Sequence, residues 1–229
     1  MAELEQVLKR IDTITFDCYG TLISWAAGLE SSLRSVFGDA LSGRQSELFE
    51  AYVAAEAEIE SGSYRPYRDV LAEVVQRLVV RFSLDLPEDR VDRMSEDLPN
   101  WPPFSDSVDA LRRLKVHYRL GILSNIDRDL FAGTAQRLSV PFDFVVTAED
   151  VKSYKPGRAH FDRLFEAHAK KESVLHVAQS LFHDGEPAQA VGIAFVWINR
   201  YNEVNKTSVR PLAEFANLAS LADAVCSAG

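Results

Sequence analysis

One property of the sequence restricts the fold more than any other. From residue 105 to 225, short apolar runs alternate with stretches of helical periodicity. The runs are RLGILSN (119–125), FDFVVTAE (142–149), VLHVAQS (174–180) and IAFVWIN (193–199). Between and after them, Asp106 to Lys115 repeats Val108, Leu111 and Leu114, and Ala159 to His168 carries Phe161, Leu164 and Phe165 on one face. Leu212 to Val225 repeats Leu212, Phe215, Leu218 and Leu221. Strand and helix in alternation require a parallel sheet covered on both faces. A further run, ITF (14–16), comes far earlier. Residues 26–100, in between, contain no convincing strand. Leu48, Tyr52, Ala55 and Ile59 fall on one helical face, and Val70, Leu71, Val74, Val75, Leu78, Val79 and Phe82 on another. LPNWPPF (98–104) reads as a rigid, turn-prone hinge. The expectation is an α/β, Rossmann-like parallel sheet core from residues 1–22 and 104–229, with an α-helical cap inserted at 23–103.

The strands end in residues that carry chemistry. Asp17 closes the first run in TFDCYGTL (15–22), Ser124 and Asn125 close the second, Lys155 follows the third in SYKPG, and Asp184 follows the fourth in SLFHDG. In a parallel sheet these carboxyl-terminal tips lie side by side, where open α/β sheets keep their ligands. Asp17 and Tyr19 project to one side of an extended chain and Cys18 to the other. On the residues alone Asp17 is a nucleophile, a metal ligand or a turn residue. The company it keeps suits a carboxylate nucleophile, a weak one that must be oriented. Lys155 keeps it ionised and steady. Ser124, Asn125, Thr21 and turn N–H groups hold the substrate or stabilise developing charge. Asp184 orients Lys155 or a water. Cys18 reads as a core thiol, His176 and Trp197 as packing, and His183 as a rim residue or an acid/base. Trp25, Tyr64 and Tyr67 line a pocket or glue cap to core.

Composition removes several function classes. The 229 residues carry a formal net charge of -9, which disfavours nucleic acid and anionic membranes as partners. No run approaches the roughly 18 apolar residues of a membrane span, and the charged N-terminal MAELEQVLKRID lacks a signal-peptide core. Two distant cysteines, Cys18 and Cys226, make neither a disulfide framework nor a zinc site and fit a cytoplasmic setting.

Four short words together carry a resemblance: FDCYGTL, ILSN, YKP and SLFHD, in this order and around a helical insert. The chain resembles the haloacid dehalogenase-like hydrolases over essentially its whole length, and their L-2-haloacid dehalogenase branch in particular. The resemblance implies that Asp17 displaces halide from a 2-haloacid, with inversion, and that water then cleaves the aspartyl ester. It implies Thr21, Ser124, Lys155 and Asp184 as catalytic residues, and Tyr19, Asn125 and Ser180 as substrate contacts. It also implies a cap arginine that meets the substrate. Arg44, Arg65 and Arg68 are available, and the compact YRPYR run (64–68) points to Arg65 or Arg68. Phosphatases of the superfamily usually have an acid where this chain has Tyr19. They also have paired acids, the first a magnesium ligand, where this chain has Gln179 and Asp184. A phenol and an amide there point to halide displacement without a cofactor, by a small organic acid anion as substrate. The alternative, a phosphatase of small phosphorylated metabolites, would need Mg²⁺. Two positions depart from the studied dehalogenases: Leu181 stands for their asparagine, and Ile126 for the glycine of SNG. The resemblance leaves room for a homodimer.

Overall fold

The computed structural model describes residues 2–226. After a short helix α1 (Ala2–Leu8), strand β1 (Thr13–Phe16) enters the centre of a six-stranded, wholly parallel sheet ordered β3-β2-β1-β4-β5-β6. The other strands are β2 (Arg119–Ser124), β3 (Phe144–Thr147), β4 (Val174–Ala178), β5 (Ala194–Ile198) and β6 (Ala213–Phe215). Every residue of β1 and β4 is buried, as expected of strands covered on both faces. On one face, α1, α6 (Ser107–Lys115), α7 (Arg128–Leu138) and α11 (Leu218–Cys226) pack over Ile14, Phe16, Ile122, Leu175 and Val177. On the other, α9 (Ala159–Ala167) and α10 (Glu186–Val191) cover Leu123, Val146, Phe195 and Trp197. No helix among the described residues is long and apolar enough to cross a membrane.

The sequence predicts one helix from Leu212 to Val225, and this is corrected. The spacing of three is real, but Leu212 donates its N–H to the Phe195 carbonyl (2.7 Å), and Phe215 accepts from Asn199 N–H (2.8 Å). The open edge of β5 therefore recruits Ala213–Phe215 as a strand, and the helix starts only at Leu218, whose N–H donates to Asp106 Oδ2 (2.7 Å). The FDFVVTAE run is also shorter as a strand. Thr147 and Asp150 form a reciprocal capping box that starts helix α8 (Ala148–Val151).

Between β1 and α6 the chain is helical: α2 (Trp25–Phe37), α3 (Gln45–Glu60), α4 (Tyr67–Phe82) and the short α5 (Arg93–Asp97). Leu48, Tyr52 and Ile59 on α3, and Val70, Leu71, Val74, Val75, Leu78 and Phe82 on α4, are buried on the expected faces, with Ala55 and Val79 half-buried. The two crossings to and from the sheet are neighbours. Ser24 N–H donates to Pro102 O (2.8 Å), and Phe104 N–H and Ser107 Oγ both donate to Leu22 O (3.0 and 2.7 Å). The LPNWPPF stretch is a buried anchor more than a free hinge. Trp101 is buried, donates to Ser32 Oγ (2.9 Å), and lies so close to Gly28 that a Cβ there would sit 2.3 Å from its ring. Farther on, the buried Asp127 carboxylate accepts the Tyr67 and Arg68 N–H groups (2.8 and 2.9 Å). An anion there satisfies otherwise orphaned donors at the start of α4 and favours the helix dipole.

Candidate active site

The strand order puts β1 between β2 and β4, so the tips carrying Asp17, Ser124 and the β4–α10 turn adjoin. Gly20, at φ +94°, lets the chain reverse immediately after β1, a conformation costly for a residue with a side chain. That reversal returns Thr21, whose hydroxyl donates to Asp17 Oδ2 (2.9 Å) and accepts from Gln179 N–H (3.0 Å). Lys155 Nζ donates to Asp17 Oδ1 (2.9 Å), Asp184 Oδ1 (2.6 Å) and Leu123 O (2.8 Å), which uses all three ammonium hydrogens. The backbone around Lys155 is held by Asn125, which accepts from Lys155 N–H (2.7 Å) and donates to Lys155 O (3.1 Å).

These charges are out of solvent: Lys155 is 2% exposed, Asp184 1% and Asp17 8%. Burial alone would discharge Lys155, but Asp17 and Asp184 outweigh it and push its pKa up, so it stays an ammonium. Burial also pushes Asp184 up, but Lys155 and His176 prevail and hold it at about 2. Asp17 moves the other way: burial and the Asp184 charge raise it against the pull of Lys155. One carboxylate is thus firmly ionised, and the other is the more basic of the two.

Asp184 sits in a wide helical turn, Leu181–Gly185, in which Asp184 and Gly185 N–H both return to Ser180 O (3.2 Å each). π-type turns of this kind recur at functional sites. Ser180 starts the turn by accepting from His183 N–H (3.0 Å), and its hydroxyl meets His183 Nδ1 (3.1 Å). Burial lowers the His183 pKa. The hydroxyl of Ser124 is buried with no hydrogen-bond partner among the described residues. Beneath it, His160 Nε2 meets the Ser124 carbonyl (3.2 Å), and burial lowers its pKa to about 3, so it stays neutral.

A cavity of about 370 Å³ opens over this floor, and Asp17, Tyr19, Ser124, Asn125, Lys155, Ser180 and Asp184 all line it. Thr21 lies just behind, against Asp17. Tyr19 ties its hydroxyl to Thr134 Oγ1 (2.8 Å), and burial keeps the phenol neutral. Cys18 is buried and does not line the cavity. Trp25 and Tyr67 line the cavity, while Tyr64 packs on Tyr154 at the joint between helices and sheet.

The predicted arginines are placed elsewhere. Arg65 pairs with Glu73 (2.5 Å), Arg68 with Asp129, and Arg44 with Glu47 (2.9 Å); none of the three lines the cavity. Each has a carboxylate within its own helical region or at the joint, and such local pairs satisfy the guanidinium without its reaching inward. The helical wall instead presents Glu56 and Glu60. Glu56 Oε1 accepts from the hydroxyls of Tyr52 (2.8 Å) and Tyr67 (2.6 Å), and burial pushes both glutamates up. Sequence reasoning missed this pair. Its only signal is two acids four apart, beside an apolar helical stripe.

The same geometry tests a magnesium site. Of the three side chains that would hold the ion, Gln179 is neutral and donates to Glu203 Oε2 (2.9 Å), while Asp17 and Asp184 share the Lys155 ammonium. A divalent cation prefers ionised carboxylates free to turn toward it, and this donor set does not fit one.

A parallel sheet whose central strand ends in a lysine-bound aspartate, roofed by helices inserted after that strand, is the architecture of a hydrolase of the α/β class. The haloacid dehalogenase-like hydrolase family matches residues 11–192, and the chain belongs to it. It is 27% identical over 232 residues to the (S)-2-haloacid dehalogenase of Pseudomonas fluorescens, covering 94% of this chain and 97% of that protein. In fold it is similar to the L-2-haloacid dehalogenase from Xanthobacter autotrophicus with chloropropionic acid covalently bound. The TM-score is 0.81 at 19% identity, with 94% and 98% of the two chains covered. The HAD-hydrolase YfnB from Bacillus subtilis bound to magnesium gives the same TM-score, 0.81, at 18% identity over 94% and 99%. The shared fold therefore does not distinguish the chemistries, and the site residues must.

Proposed function

We propose that the protein hydrolyses the carbon–halogen bond of small 2-haloacids through an ester on Asp17. The observation that carries this reading is the fixing of both Asp17 oxygens, Oδ1 by Lys155 and Oδ2 by Thr21, at the floor of a cavity of substrate size. An oriented carboxylate attacks the halogen-bearing carbon from behind; the C–O bond forms as the C–halogen bond breaks. Halide leaves as a stable anion and needs no proton, in keeping with a neutral phenol at Tyr19 in place of an acid. Water then adds to the ester carbonyl, the 2-hydroxyacid departs, and Asp17 is regenerated. Ser124, whose hydroxyl has no other partner, Asn125 and Ser180 are the neutral donors for the substrate or the leaving group. The relatives that act on haloacids support the substrate class, and the amide of Gln179, committed to Glu203, weighs against a metal-dependent phosphatase.

In this reading residues 23–103 are the cap and 1–22 with 104–229 the hydrolase core. The cap excludes water from Asp17 while the ester forms. The partner is a small organic acid anion, and the unpaired Cys18 and Cys226 fit a reducing cytoplasm.

The test measures halide and phosphate release in parallel, with chelator and with Mg²⁺. Halide should appear from 2-chloropropionate in chelator, and Asp17→Asn should abolish it. In a single turnover in heavy-oxygen water, label should enter Asp17 before product. Loss of the native activity in chelator, restored by Mg²⁺, would establish the phosphatase instead.

A further inference from the structure

His176 is a fully buried titratable group for which the ester mechanism has so far no use. It stands in the middle of β4, paired in register with Thr15 of β1. Thr15 Oγ1 lies 2.9 Å from His176 Nδ1, and His176 Nε2 lies 3.0 Å from Asp184 Oδ1. Phe161 meets the imidazole edge-on at 5.1 Å between centroids, and the Phe195 ring lies on another side at 6.2 Å, so the ring cannot turn freely.

The polarity of the chain follows from what each atom can do. An ionised carboxylate only accepts, so Nε2 carries the hydrogen; in the neutral imidazole Nδ1 then only accepts, so Thr15 donates to it. Thr15 thereby fixes the tautomer that points N–H at Asp184. Asp184 Oδ1 takes that hydrogen bond together with one from Lys155. Oδ2 of the same carboxylate is buried without a hydrogen-bond partner among the described residues, on a residue that lines the cavity. Two donors on one oxygen hold the carboxylate at one rotation and leave the other oxygen as its only acceptor for the site.

We propose that His176, its tautomer set by Thr15, is a positioning residue that holds Asp184 with Oδ2 aimed at the water that cleaves the Asp17 ester. This rests on the ester mechanism above and adds to it which step the histidine serves. In the first step Asp17 attacks carbon and halide leaves; Asp184 exchanges no proton. In the second, a water oxygen bonds to the ester carbonyl carbon of Asp17 as one of its protons passes to Asp184 Oδ2. The tetrahedral adduct then breaks its bond to the substrate oxygen, which takes that proton and leaves as the 2-hydroxyacid. The remaining proton is lost to solvent as Asp17 returns to carboxylate. Only the second step depends on where Oδ2 points. Lys155 contacts Asp17 directly and would affect both steps, whereas the His176 side chain hydrogen-bonds only Asp184 and Thr15 among the described residues.

The experiment separates the steps with 2-chloropropionate and the full-length chain. Rapid quench measures the first-turnover halide burst, and intact-protein mass spectrometry measures the ester adduct. In His176→Phe, which keeps a flat ring but has no N–H to give Asp184, the burst should keep its wild-type rate while adduct decay slows by roughly 10- to 100-fold, the span expected for losing a hydrogen bond to a charged group. Adduct should therefore accumulate. Thr15→Val, which preserves shape and leaves His176 in place, should slow adduct decay less, and Thr15→Ser should restore it. A purely structural role would slow burst and decay alike, or neither, and either result overturns the proposal. Decay unchanged in both Thr15→Val and His176→Phe overturns it even if one variant is unstable. A single turnover in heavy-oxygen water that labels the product directly and leaves Asp17 unlabelled brings down the ester mechanism itself, and this proposal with it.

Discussion

Replacing Lys155 by methionine should cost the protein more at neutral pH than at acid pH, and the structure sets the size of the effect. The ammonium is 2% exposed, makes three hydrogen bonds, and is the only cation touching Asp17 or Asp184 among the described residues. Methionine fills similar volume, so the loss is electrostatic, without a cavity. Removing one partner of a buried ion pair typically costs about 3–5 kcal/mol, because a buried charge is left uncompensated. Here two carboxylates are left facing each other. At about 2–4 °C per kcal/mol for a chain of this size, the thermal midpoint should fall by on the order of 10 °C. The pH dependence identifies the cause. In the wild type Asp184 is depressed to about 2, so its contribution is present above the ordinary aspartate range and is lost only as pH falls toward that value. Without Lys155, burial and mutual repulsion raise the folded-state values of the two acids. Their ionisation then opposes folding, and stability is lost as pH rises through those raised values. Urea unfolding at pH 5, 7 and 8 should show the deficit largest at pH 8 and smaller at pH 5, and Lys155→Met with Asp184→Asn should recover part of it. A deficit below about 1 kcal/mol, the range of exposed pairs, or one independent of pH, would refute the reasoning.

Glu60→Gln should lower KM for 2-chloropropionate by roughly fivefold, equivalent to about 1 kcal/mol of unit-charge repulsion across a hydrated cavity. Because burial beside Glu56 raises the Glu60 pKa, the gain should be greatest at alkaline pH, where the wild-type group is ionised; a higher KM in the variant would show that Glu60 assists binding. Asp127→Ala should lower stability by about 1–2 kcal/mol, the size of a lost helix cap, and raise KM, because α4 carries Tyr67 into the cavity. Unchanged thermal unfolding and KM would remove Asp127 from that role. The acid limb of the halide burst should lie above the ordinary aspartate range, since Asp17 must be ionised to attack and burial raises its pKa. In Asp184→Asn, which removes the like charge, the limb should shift to lower pH; a shift upward would contradict the assignment.

Five of the six strands were legible because each is a nearly continuous apolar run, the pattern of a strand buried on both faces. β6 was not, because two half-buried residues flanking the exposed Glu214, in a repeat of three, look like the start of α11; what decides their state is the unpaired edge of β5, which lies outside the local sequence. Asp17, Ser124, Lys155 and Asp184 could be found as residues at strand ends, a property of chain position. The residues that tune them could not. His176 reads as core from its apolar neighbours, and its contact with Asp184 depends on strand register and on the wide turn after β4. The arginines could be named but not placed: Glu47 and Glu73 lie three and eight residues from Arg44 and Arg65, at spacings that carry no signal, while Asp129 reaches Arg68 only through the fold, from 61 residues away.

The central position of β1 has a consequence for synthesis. Thr13 pairs with Arg119 on one side and Val174 on the other, so the first strand to leave the ribosome waits more than a hundred residues for its first partner and longer for its second. During that interval the helices between Trp25 and Asp97 can pack among themselves, but Thr13–Phe16, fully buried in the finished protein, has both edges open. Such long-range pairing folds slowly, and unpaired apolar strands invite association with other chains. A chain halted before Ala178 therefore leaves one edge of β1 bare and lacks Asp184 to share Lys155, so interrupted translation yields aggregating fragments with no partial activity.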